Sequence, residues 1–463
     1  MSSDKVPKIF GTDGVRGTAN IEPVTAETAL KLGRAAAHVF KTLSGTNGNN
    51  GGRHEIVIGK DTRLSGYMIE NALSAGVLSM GVNVLFIGPL PTPGVAYVTR
   101  SLRADAGIVI TASHNPYDDN GIKFFGADGY KLADSIEQRI EQLVFSGEIE
   151  NIRPTAGAIG KAVRIDDALG RYIEYAKSSL PRGLKLDGLR VVVDCGNGAA
   201  YKATPCVLRE LGAEVFVYGN QPNGTNINKD CGSMYPELMC AKVREHQAHL
   251  GIAHDGDADR VILCDKTGTL IDGDDIMVIS ALEMLANKTL ANKTLVTTVM
   301  SNAGLDVAVI AAGGQIIRTA VGDKNVIEAM LKGGFNLGGE QSGHMIFRDH
   351  STTGDGLVSA LQILTIMKAK GRSLSQLARC WTRYPQLVTN VRVREKMPFE
   401  QLDGVLALVA QAEAAVKPAG GRVMLRYSGT EPKARLLIEG RDAAVLEKWS
   451  AQICDAIKRQ VGA

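Results

Sequence analysis

A serine stands at the end of a short apolar run, where its hydroxyl is available for chemistry. The polar loop Thr111-Ala112-Ser113-His114-Asn115-Pro116 follows the β-branched run Gly107-Ile108-Val109-Ile110. This pattern predicts a buried strand that displays Ser113 at its end. Functional loops of open α/β sheets lie beyond the carboxyl ends of strands. Taken alone, such a loop is more often a plain turn that the serine caps.

Three aspartates at alternating positions form a second cluster. Asp255, Asp257 and Asp259 lie between two apolar runs, so their carboxylates converge at the end of a predicted strand. Uncompensated carboxylates repel one another, and a hard divalent cation such as Mg²⁺ resolves that repulsion with oxygen ligands. A calcium EF-hand is excluded because Arg260 and Lys266 stand where that loop needs glycine and glutamate. An acidic surface turn is the alternative.

A cation at these aspartates needs an anionic partner. The sequence lacks a Gly-x-x-x-x-Gly-Lys-Ser/Thr loop and a strand-linked Gly-x-Gly-x-x-Gly, so nucleotide binding is unsupported. The protein itself is able to supply the anion. A phosphorylated Ser113 would carry a charge of about −2 and three acceptor oxygens, and it would complete the metal shell.

Three further loops are suited to a phosphorylated sugar. The stretch from Arg426 to Pro432, with Arg435 close behind, offers arginine forks, hydroxyls and glycine amides to a phosphate dianion. The stretch from Gly338 to His344 places donors and acceptors in a glycine loop, as recognition of sugar hydroxyls requires. Glycines around Arg16 allow a tight turn in which the arginine grips phosphate. The alternatives are ordinary turns and, for His344, a core histidine.

The elements that must position these loops repeat along the chain. Three stretches share the order strand, polar turn, glycine-closed helix and strand, and they begin near residues 56, 191 and 295. This order predicts three related α/β units with mixed sheets, followed by a smaller C-terminal α+β domain. Breaks in the pattern place the predicted domains at 1–155, 156–255, 256–370 and 371–463. The Asn/Gly-rich stretch 44–53 cannot bury a core and predicts a mobile surface loop.

Composition narrows the class of protein. The 52 basic and 49 acidic residues give a net charge of +3, which provides no bulk attraction to nucleic acid or to a membrane surface. Seven scattered cysteines without a Cys-x-x-Cys pair favour reduced thiols. No apolar run approaches the roughly 18 residues of a membrane span. We therefore expect a cytoplasmic protein without nucleic-acid or membrane partners, and composition leaves both a monomer and a homodimer open.

Taken together and in this order, five motifs closely resemble those of the α-D-phosphohexomutases. They are Phe10 to Gly17, Thr111 to Pro116, Asp255 to Arg260, Gly339 to His344 and Arg426 to Pro432, and they span nearly the whole chain. The resemblance implies four domains around a central cleft and a hexosamine phosphate as substrate. It also implies that phosphorylated Ser113 gives its phosphoryl group to the sugar monophosphate and recovers the other one from the bisphosphate intermediate.

The resemblance implies a role for each loop. Phosphorylated Ser113, Asp255, Asp257 and Asp259 would hold Mg²⁺, and a sugar bisphosphate would be the activator. Arg16, Lys123 and Arg260 would neutralise the phosphoryl group in transfer, and His114 belongs to the same catalytic set. Glu340, Ser342 and His344 would bind the sugar hydroxyls. The phosphate that is not transferred would be held by Arg426, Ser428, Gly429, Thr430 and Arg435.

Some alternatives stay open at this stage. Related phosphomannomutases have a histidine in the third domain as a proposed general acid/base, whereas the stretch Val321 to Lys324 here leaves Asp323 as a candidate only. A phosphomannomutase or phosphoglucomutase would use the same mechanism. An aspartyl-phosphate enzyme of the haloacid dehalogenase type would prefer Thr or Val where Asp259 stands. A non-catalytic sugar-phosphate sensor is disfavoured by the intact Ser113 and aspartates.

Overall fold

The fold is taken from a computed structural model that describes residues 8–11, 13–45, 53–428 and 431–463. Within those residues, sheets of seven, five, four and three strands follow one another along the chain. The first three sheets combine parallel and antiparallel pairs, and the fourth is antiparallel. This confirms the predicted α/β class with three mixed-sheet units and a smaller C-terminal unit. Most of the Asn/Gly-rich stretch lies outside the described residues.

The first unit carries the Ser113 loop. Its strands are β1 (Phe10–Gly11), β2 (Gly14–Thr18), β3 (Glu55–Lys60), β4 (Asn83–Pro89), β5 (Ala106–Ile110), β6 (Asp119–Gly126) and β7 (Ala162–Arg164). Its helices are α1 (Ala26–Leu43), α2 (Ser65–Ser79), α3 (Thr92–Ser101) and α4 (Asp134–Ser146). The strand order is β1-β2-β6-β5-β3-β4-β7. Because β7 pairs with β4, this sheet continues past the predicted division at residue 155.

The second unit carries the three aspartates. It contains α5 (Ala168–Ser178), β8 (Arg190–Asp194), α6 (Ala203–Glu210), β9 (Glu214–Tyr218), α7 (Glu237–Glu245), β10 (Leu250–His254), β11 (Val261–Asp265) and β12 (Leu270–Ile271). Strands β10 and β11 form an antiparallel hairpin in a sheet of order β12-β11-β10-β8-β9. The predicted division after residue 255 falls in the turn of this hairpin, and the domain boundaries stay predictions.

The third and fourth units complete the chain. The third contains α8 (Gly273–Ala286), β13 (Thr294–Thr298), α9 (Ala303–Ala311), β14 (Gln315–Thr319), α10 (Asp323–Gly333), β15 (Leu337–Gly339), β16 (Met345–Phe347) and α11 (Gly356–Lys370). The short α12 (Leu374–Leu377) leads to β17 (Gln386–Arg392), α13 (Val405–Val416), β18 (Arg422–Tyr427), β19 (Lys433–Glu439) and α14 (Ala443–Val461). No helix among the described residues is long and apolar enough to cross a membrane.

An interior strand precedes each of three predicted loops, which are the Ser113 loop, the aspartate loop and the Glu340 loop. Strand β5 lies between β3 and β6, β10 lies between β8 and β11, and β15 lies between β13 and β16. All residues of these three strands are buried, which is typical of an apolar strand covered on both faces. Each of these loops therefore follows a strand that is hydrogen-bonded to a neighbouring strand on both sides, so the first residue of the loop is held in place.

A buried carboxyl group joins the second and third units beside the aspartate loop. Asp355 Oδ1 accepts hydrogen bonds from the Tyr172 hydroxyl at 3.0 Å and from Val358 N at 2.9 Å. The next residue, Gly356, donates its amide to Ala258 O at 3.0 Å. Burial raises the pKa of the Asp355 carboxyl to about 6. The folded protein must therefore bear an unfavourable buried charge above that pH.

We expect Asp355→Asn to raise the melting temperature by several degrees at pH 8 and to have little effect near pH 4. The folded-state pKa is higher than the unfolded value of about 3.9, so the stability from the protonated carboxyl is lost as the pH rises through 6. Asparagine keeps the helix cap without the charge. Asp442→Asn, which changes the exposed cap of α14, is the matched control. Scanning calorimetry at both pH values checks this, and equal gains in the two variants would contradict it.

Candidate active site

Ser113 is held in an unusual backbone conformation at the start of its loop. Its φ angle is +51°, in the left-handed region that costs a non-glycine residue about 1 kcal/mol or more. The Ser113 amide donates to Thr111 Oγ1 at 2.9 Å, and the hydroxyl donates to Asp255 Oδ2 at 2.6 Å. The side chain is only 1% exposed. The strained turn therefore aims the hydroxyl at the aspartate hairpin of the second unit.

The three aspartates converge as their spacing predicts. Each contributes one carboxylate oxygen to a group whose atoms lie within 4.8 Å of one another, and all three residues are buried. Burial, together with the charges of Asp259 and Asp257, raises the pKa of Asp255 well above its usual range. The Oδ1 atoms of Asp257 and Asp259 have no hydrogen-bond partner among the described residues. Free buried carboxylate oxygens of this kind fit a divalent metal ion.

Lys123 is the cation nearest to the aspartates. Its Nζ lies 2.9 Å from Asp13 Oδ2, 3.1 Å from Asp257 Oδ2 and 3.5 Å from Asp259 Oδ2. Burial opposes its charge, but these carboxylates outweigh burial and raise the pKa of Lys123 well above its usual value. Burial would likewise raise the pKa of Asp257, but Lys123 and a hydrogen bond from Thr92 hold that pKa below its usual range. The pair is therefore fully ionised at neutral pH.

Arg260 and His114 flank the serine. The Arg260 amide donates to Asp255 Oδ1 at 3.2 Å, and its Nε lies 3.9 Å from Asp259 Oδ1. His114 Nδ1 lies 3.4 Å from Ser113 Oγ. Burial, with the positive charges of Arg260 and Arg16, lowers the pKa of His114 to about 4. His114 is therefore neutral at pH 7 and provides no cation beside Ser113.

A second ionic cluster joins the first and third units. Lys131 Nζ donates to both Asp13 and Asp323, and Asp13 also accepts from Arg16 Nη2 at 2.9 Å. His344 Nε2 lies 3.5 Å from Asp323 Oδ2. Burial would raise the pKa of Asp323, but Lys131 outweighs it and lowers that pKa. The sequence analysis missed Asp13 and Lys131 as site residues, because neither carries a spacing that indicates its distant partner.

The loop with Glu340 is bonded directly to the aspartate hairpin. The Gly343 amide closes a turn on Glu340 O at 3.0 Å, and Val261 N donates to Gly343 O at 3.1 Å. Glycine is required here, since φ is +90° and a Cβ would lie 2.1 Å from Val261 O. Glu340 Oε1 accepts from Gly322 N at 3.0 Å, and Ser342 is exposed. Glu340, Ser342 and His344 thus belong to a loop that lies next to the three aspartates.

The predicted phosphate loop lies in the fourth unit. Arg426 and Arg435 stand directly opposite each other on β18 and β19, and like charges in that position destabilise a sheet unless an anion lies between them. Glu431 accepts from Arg435 Nη2 at 3.0 Å. The two arginines and Met300 of the third unit line a cavity of about 230 Å³. Ser428 is buried beside them, whereas Gly429 and Thr430 lie outside the described residues.

Four models of one protein family match successive parts of the chain. Phosphoglucomutase/phosphomannomutase α/β/α domain I matches residues 7–150, domain II matches 170–268, domain III matches 272–384, and the C-terminal domain matches 388–456. The chain belongs to the phosphoglucomutase/phosphomannomutase family. The resemblance that the five motifs predicted is thereby confirmed, and it extends over the phosphohexomutase fold as a whole.

Curated phosphohexomutases resemble the chain over its full length. The phosphoglucosamine mutase of Geotalea daltonii is 57% identical over 455 residues, which cover 98% of each chain. The phosphoglucosamine mutase of Anaeromyxobacter sp. is 54% identical over 459 residues, which cover 98% of this chain and 96% of the relative. Both comparisons span all four units, including the Ser113 loop and the aspartate hairpin.

Solved structures share the fold. A phosphoglucomutase/phosphomannomutase family protein of Burkholderia thailandensis has a TM-score of 0.79 at 25% identity, with 98% of this chain and 99% of that chain covered. The Aspergillus fumigatus N-acetylphosphoglucosamine mutase, in complex with GlcNAc-6P and magnesium, has a TM-score of 0.60 at 17% identity, with 93% and 99% covered. The fungal enzyme therefore matches in fold alone.

Proposed function

We propose that this chain interconverts glucosamine 6-phosphate and glucosamine 1-phosphate through a phosphoserine at residue 113. The single observation that carries the proposal is the Ser113 hydroxyl, 2.6 Å from Asp255 within a buried aspartate triad. The 57% identity to a phosphoglucosamine mutase supports the amino-sugar substrate. The product would supply UDP-N-acetylglucosamine and cell-wall synthesis. A cytoplasmic location fits the scattered cysteines, and the balanced charge fits a chain without nucleic-acid or membrane partners. The chain would act as a monomer or homodimer.

The reaction is two phosphoryl transfers in opposite directions. The C1 hydroxyl of glucosamine 6-phosphate attacks the phosphorus on Ser113, the bond from phosphorus to Oγ breaks, and a sugar 1,6-bisphosphate forms. The bisphosphate then presents its other end and Oγ attacks the C6 phosphorus. The bond from that phosphorus to the C6 oxygen breaks, glucosamine 1-phosphate leaves, and the phosphoserine is restored. A free sugar bisphosphate would phosphorylate unmodified Ser113 and so act as activator. Such transfers depend mostly on positioning and on stabilising charge.

Positive groups surround the phosphoryl group in this proposal. Asp255, Asp257 and Asp259 would hold Mg²⁺, which supplies positive charge to the phosphoryl oxygens when bound. Lys123, Arg16 and Arg260 would neutralise the remaining charge, since preorganised cations in a buried site stabilise developing charge strongly. Asp323 stays the candidate proton carrier for the sugar hydroxyl. Its lowered pKa keeps the carboxylate ionised at neutral pH and so able to accept a proton, and a hydrogen bond from Lys131 would fix its position.

Two loops would hold the sugar in either orientation. Glu340, Ser342 and His344 would bind the sugar hydroxyls beside the aspartates. The distal phosphate would be held by Arg426, Ser428, Gly429, Thr430 and Arg435. An anion between the opposed Arg426 and Arg435 would relieve their repulsion. Because the phosphate site is fixed and the sugar loop would bind the hydroxyls in either orientation, both C1 and C6 would reach Ser113.

The proposal is tested by measuring kcat/KM for glucosamine, glucose and mannose phosphates with Mg²⁺ and a sugar bisphosphate. We expect at least tenfold preference for glucosamine phosphate. Equal or better turnover of glucose or mannose phosphate would instead assign a phosphoglucomutase or phosphomannomutase with the same mechanism. Binding of all three sugars without any turnover would overturn the catalytic proposal and favour a sugar-phosphate sensor.

A further inference from the structure

Arg63 lies completely buried behind the Ser113 loop. It follows β3, whereas the Ser113 loop follows the neighbouring strand β5. The arginine is 0% exposed, and Asp61, whose carboxylate forms an ion pair with it, is also buried. A buried guanidinium is tolerated only when its five N–H donors are bonded. The acceptors of those donors therefore reveal what Arg63 holds.

Backbone carbonyl groups of the Ser113 loop take four of the five donors of Arg63. Arg63 Nε donates to Asp61 Oδ2 at 2.8 Å. The other bonds run from Nη2 to Ser113 O and Asn115 O, both at 2.9 Å, and from Nη1 to Pro116 O and to Asp119 O, the latter at 3.0 Å. One rigid planar group thus fixes the loop from residue 113 to residue 119.

A side chain of the second unit also donates to two of these carbonyl oxygens. Asn228 Nδ2 donates to Ser113 O at 2.8 Å and to Asn115 O at 3.0 Å. Gly256 packs against this point, because a Cβ there would lie 2.5 Å from Ser113 O and 2.9 Å from Asn228 Nδ2. The Ser113 carbonyl therefore receives one hydrogen bond from each unit, at the place where the aspartate loop meets the serine loop.

The hydrogen bonds from Arg63 and Asn228 hold Ser113 in its strained backbone conformation. A φ of +51° at Ser113 is unfavourable on its own, so the loop keeps it only where surrounding contacts determine it. Release of the carbonyls would let Ser113 return to a relaxed backbone region. The hydroxyl would then leave its position 2.6 Å from Asp255. Neither Arg63 nor Asn228 touches Oγ, so any effect on the reaction passes through the backbone.

We propose that Arg63 and Asn228 are positioning residues that hold the Ser113 loop in its reactive conformation and link that conformation to the docking of the first two units. The inference rests on the proposed phosphoserine function. It assigns the loop's geometry to two side chains that contact the loop through its backbone oxygens only. Lysine cannot replace Arg63, since a single ammonium group cannot span the same set of acceptors. Aspartate in place of Asn228 removes the donors and places acceptors against carbonyl oxygens.

The test compares Arg63→Lys and Asn228→Asp with two matched controls. Arg318 in the third unit likewise binds one aspartate and the carbonyls of Thr298, Ser301 and Asn302, so Arg318→Lys makes the same chemical change elsewhere. Asn197→Asp changes another asparagine with a left-handed backbone, φ +48°, in the second unit. We measure the melting temperature, kcat and KM of all four variants. We also measure, by intact-protein mass, the rate at which glucose 1,6-bisphosphate phosphorylates Ser113.

We expect both positioning variants to lose at least 100-fold in kcat and in the phosphorylation rate, with KM within threefold of wild type. The controls should lose similar thermal stability yet keep kcat within threefold. Folded variants with near-normal kcat, or losses that only follow melting temperature, would overturn the proposal. If Arg63→Lys does not fold, Asn228→Asp decides alone. A wild-type protein that neither phosphorylates Ser113 nor turns over any hexose phosphate would instead refute the proposed function.

Discussion

Replacing Ser113 by alanine is expected to reduce mutase turnover by about 10⁴-fold or more, while the sugar phosphate still binds. The change removes the atom that would carry the phosphoryl group, and no other hydroxyl lies as close to Asp255 among the described residues. Loss of a covalent nucleophile lowers kcat rather than ground-state binding. The Glu340 and Arg426 loops are untouched, so the dissociation constant for glucosamine 6-phosphate should stay within a few-fold of wild type.

Ser74→Ala is the matched control for this prediction, since Ser74 is a buried serine of the same unit that bonds only within its helix. Turnover and calorimetric binding are measured for both variants. Intact-protein mass after incubation with a sugar bisphosphate should reveal one added phosphoryl group in wild type and Ser74→Ala, and none in Ser113→Ala. Turnover above about 1% of wild type in Ser113→Ala would remove the serine from the mechanism.

The sequence predicts where Ser113 and the aspartates meet because each group stands at the end of an apolar strand. Ser113 follows β5 and Asp255 follows β10, and both strands are recognisable as short β-branched or apolar runs between turn residues. Spacing of two residues brings the three carboxylates together within a single hairpin turn. Local sequence therefore contains almost all the information that brings the three aspartates together.

The residues that support these groups leave no such pattern. Arg63 binds backbone oxygens 50 or more positions away, and a carbonyl acceptor imposes no residue type on its own position. Lys131 pairs with Asp13 and Asp323, which are 118 and 192 positions distant. Their partners become apparent only when the units are packed together. The pairing of β10 with β11 across the turn that contains residue 255 is likewise a property of the sheet.

Replacing Asp257 by asparagine is expected to lower kcat by roughly 10²- to 10³-fold, the range seen when one preorganised hydrogen-bond donor at a transition state is removed. Asp257 contributes one oxygen to the triad and accepts hydrogen bonds from Thr92 Oγ1 at 2.7 Å and Lys123 Nζ at 3.1 Å. The amide removes one negative charge from the three aspartates that would hold the metal ion. It also leaves Lys123 with less compensation inside the protein. Both effects disturb the site where the phosphoryl group would be transferred.

Asp265→Asn is the matched control, because Asp265 ends the same hairpin and accepts hydrogen bonds from Thr267 and Thr269 of the following turn. Activity is titrated with Mg²⁺ after chelation with EDTA, and Mn²⁺ binding is measured directly by electron paramagnetic resonance. Wild type and Asp265→Asn should lose activity on chelation and regain it with Mg²⁺, whereas Asp257→Asn should need at least tenfold more Mg²⁺ and bind Mn²⁺ more weakly. Unchanged Mn²⁺ affinity in Asp257→Asn would place the ion elsewhere and leave Asp257 as the partner of Lys123 alone.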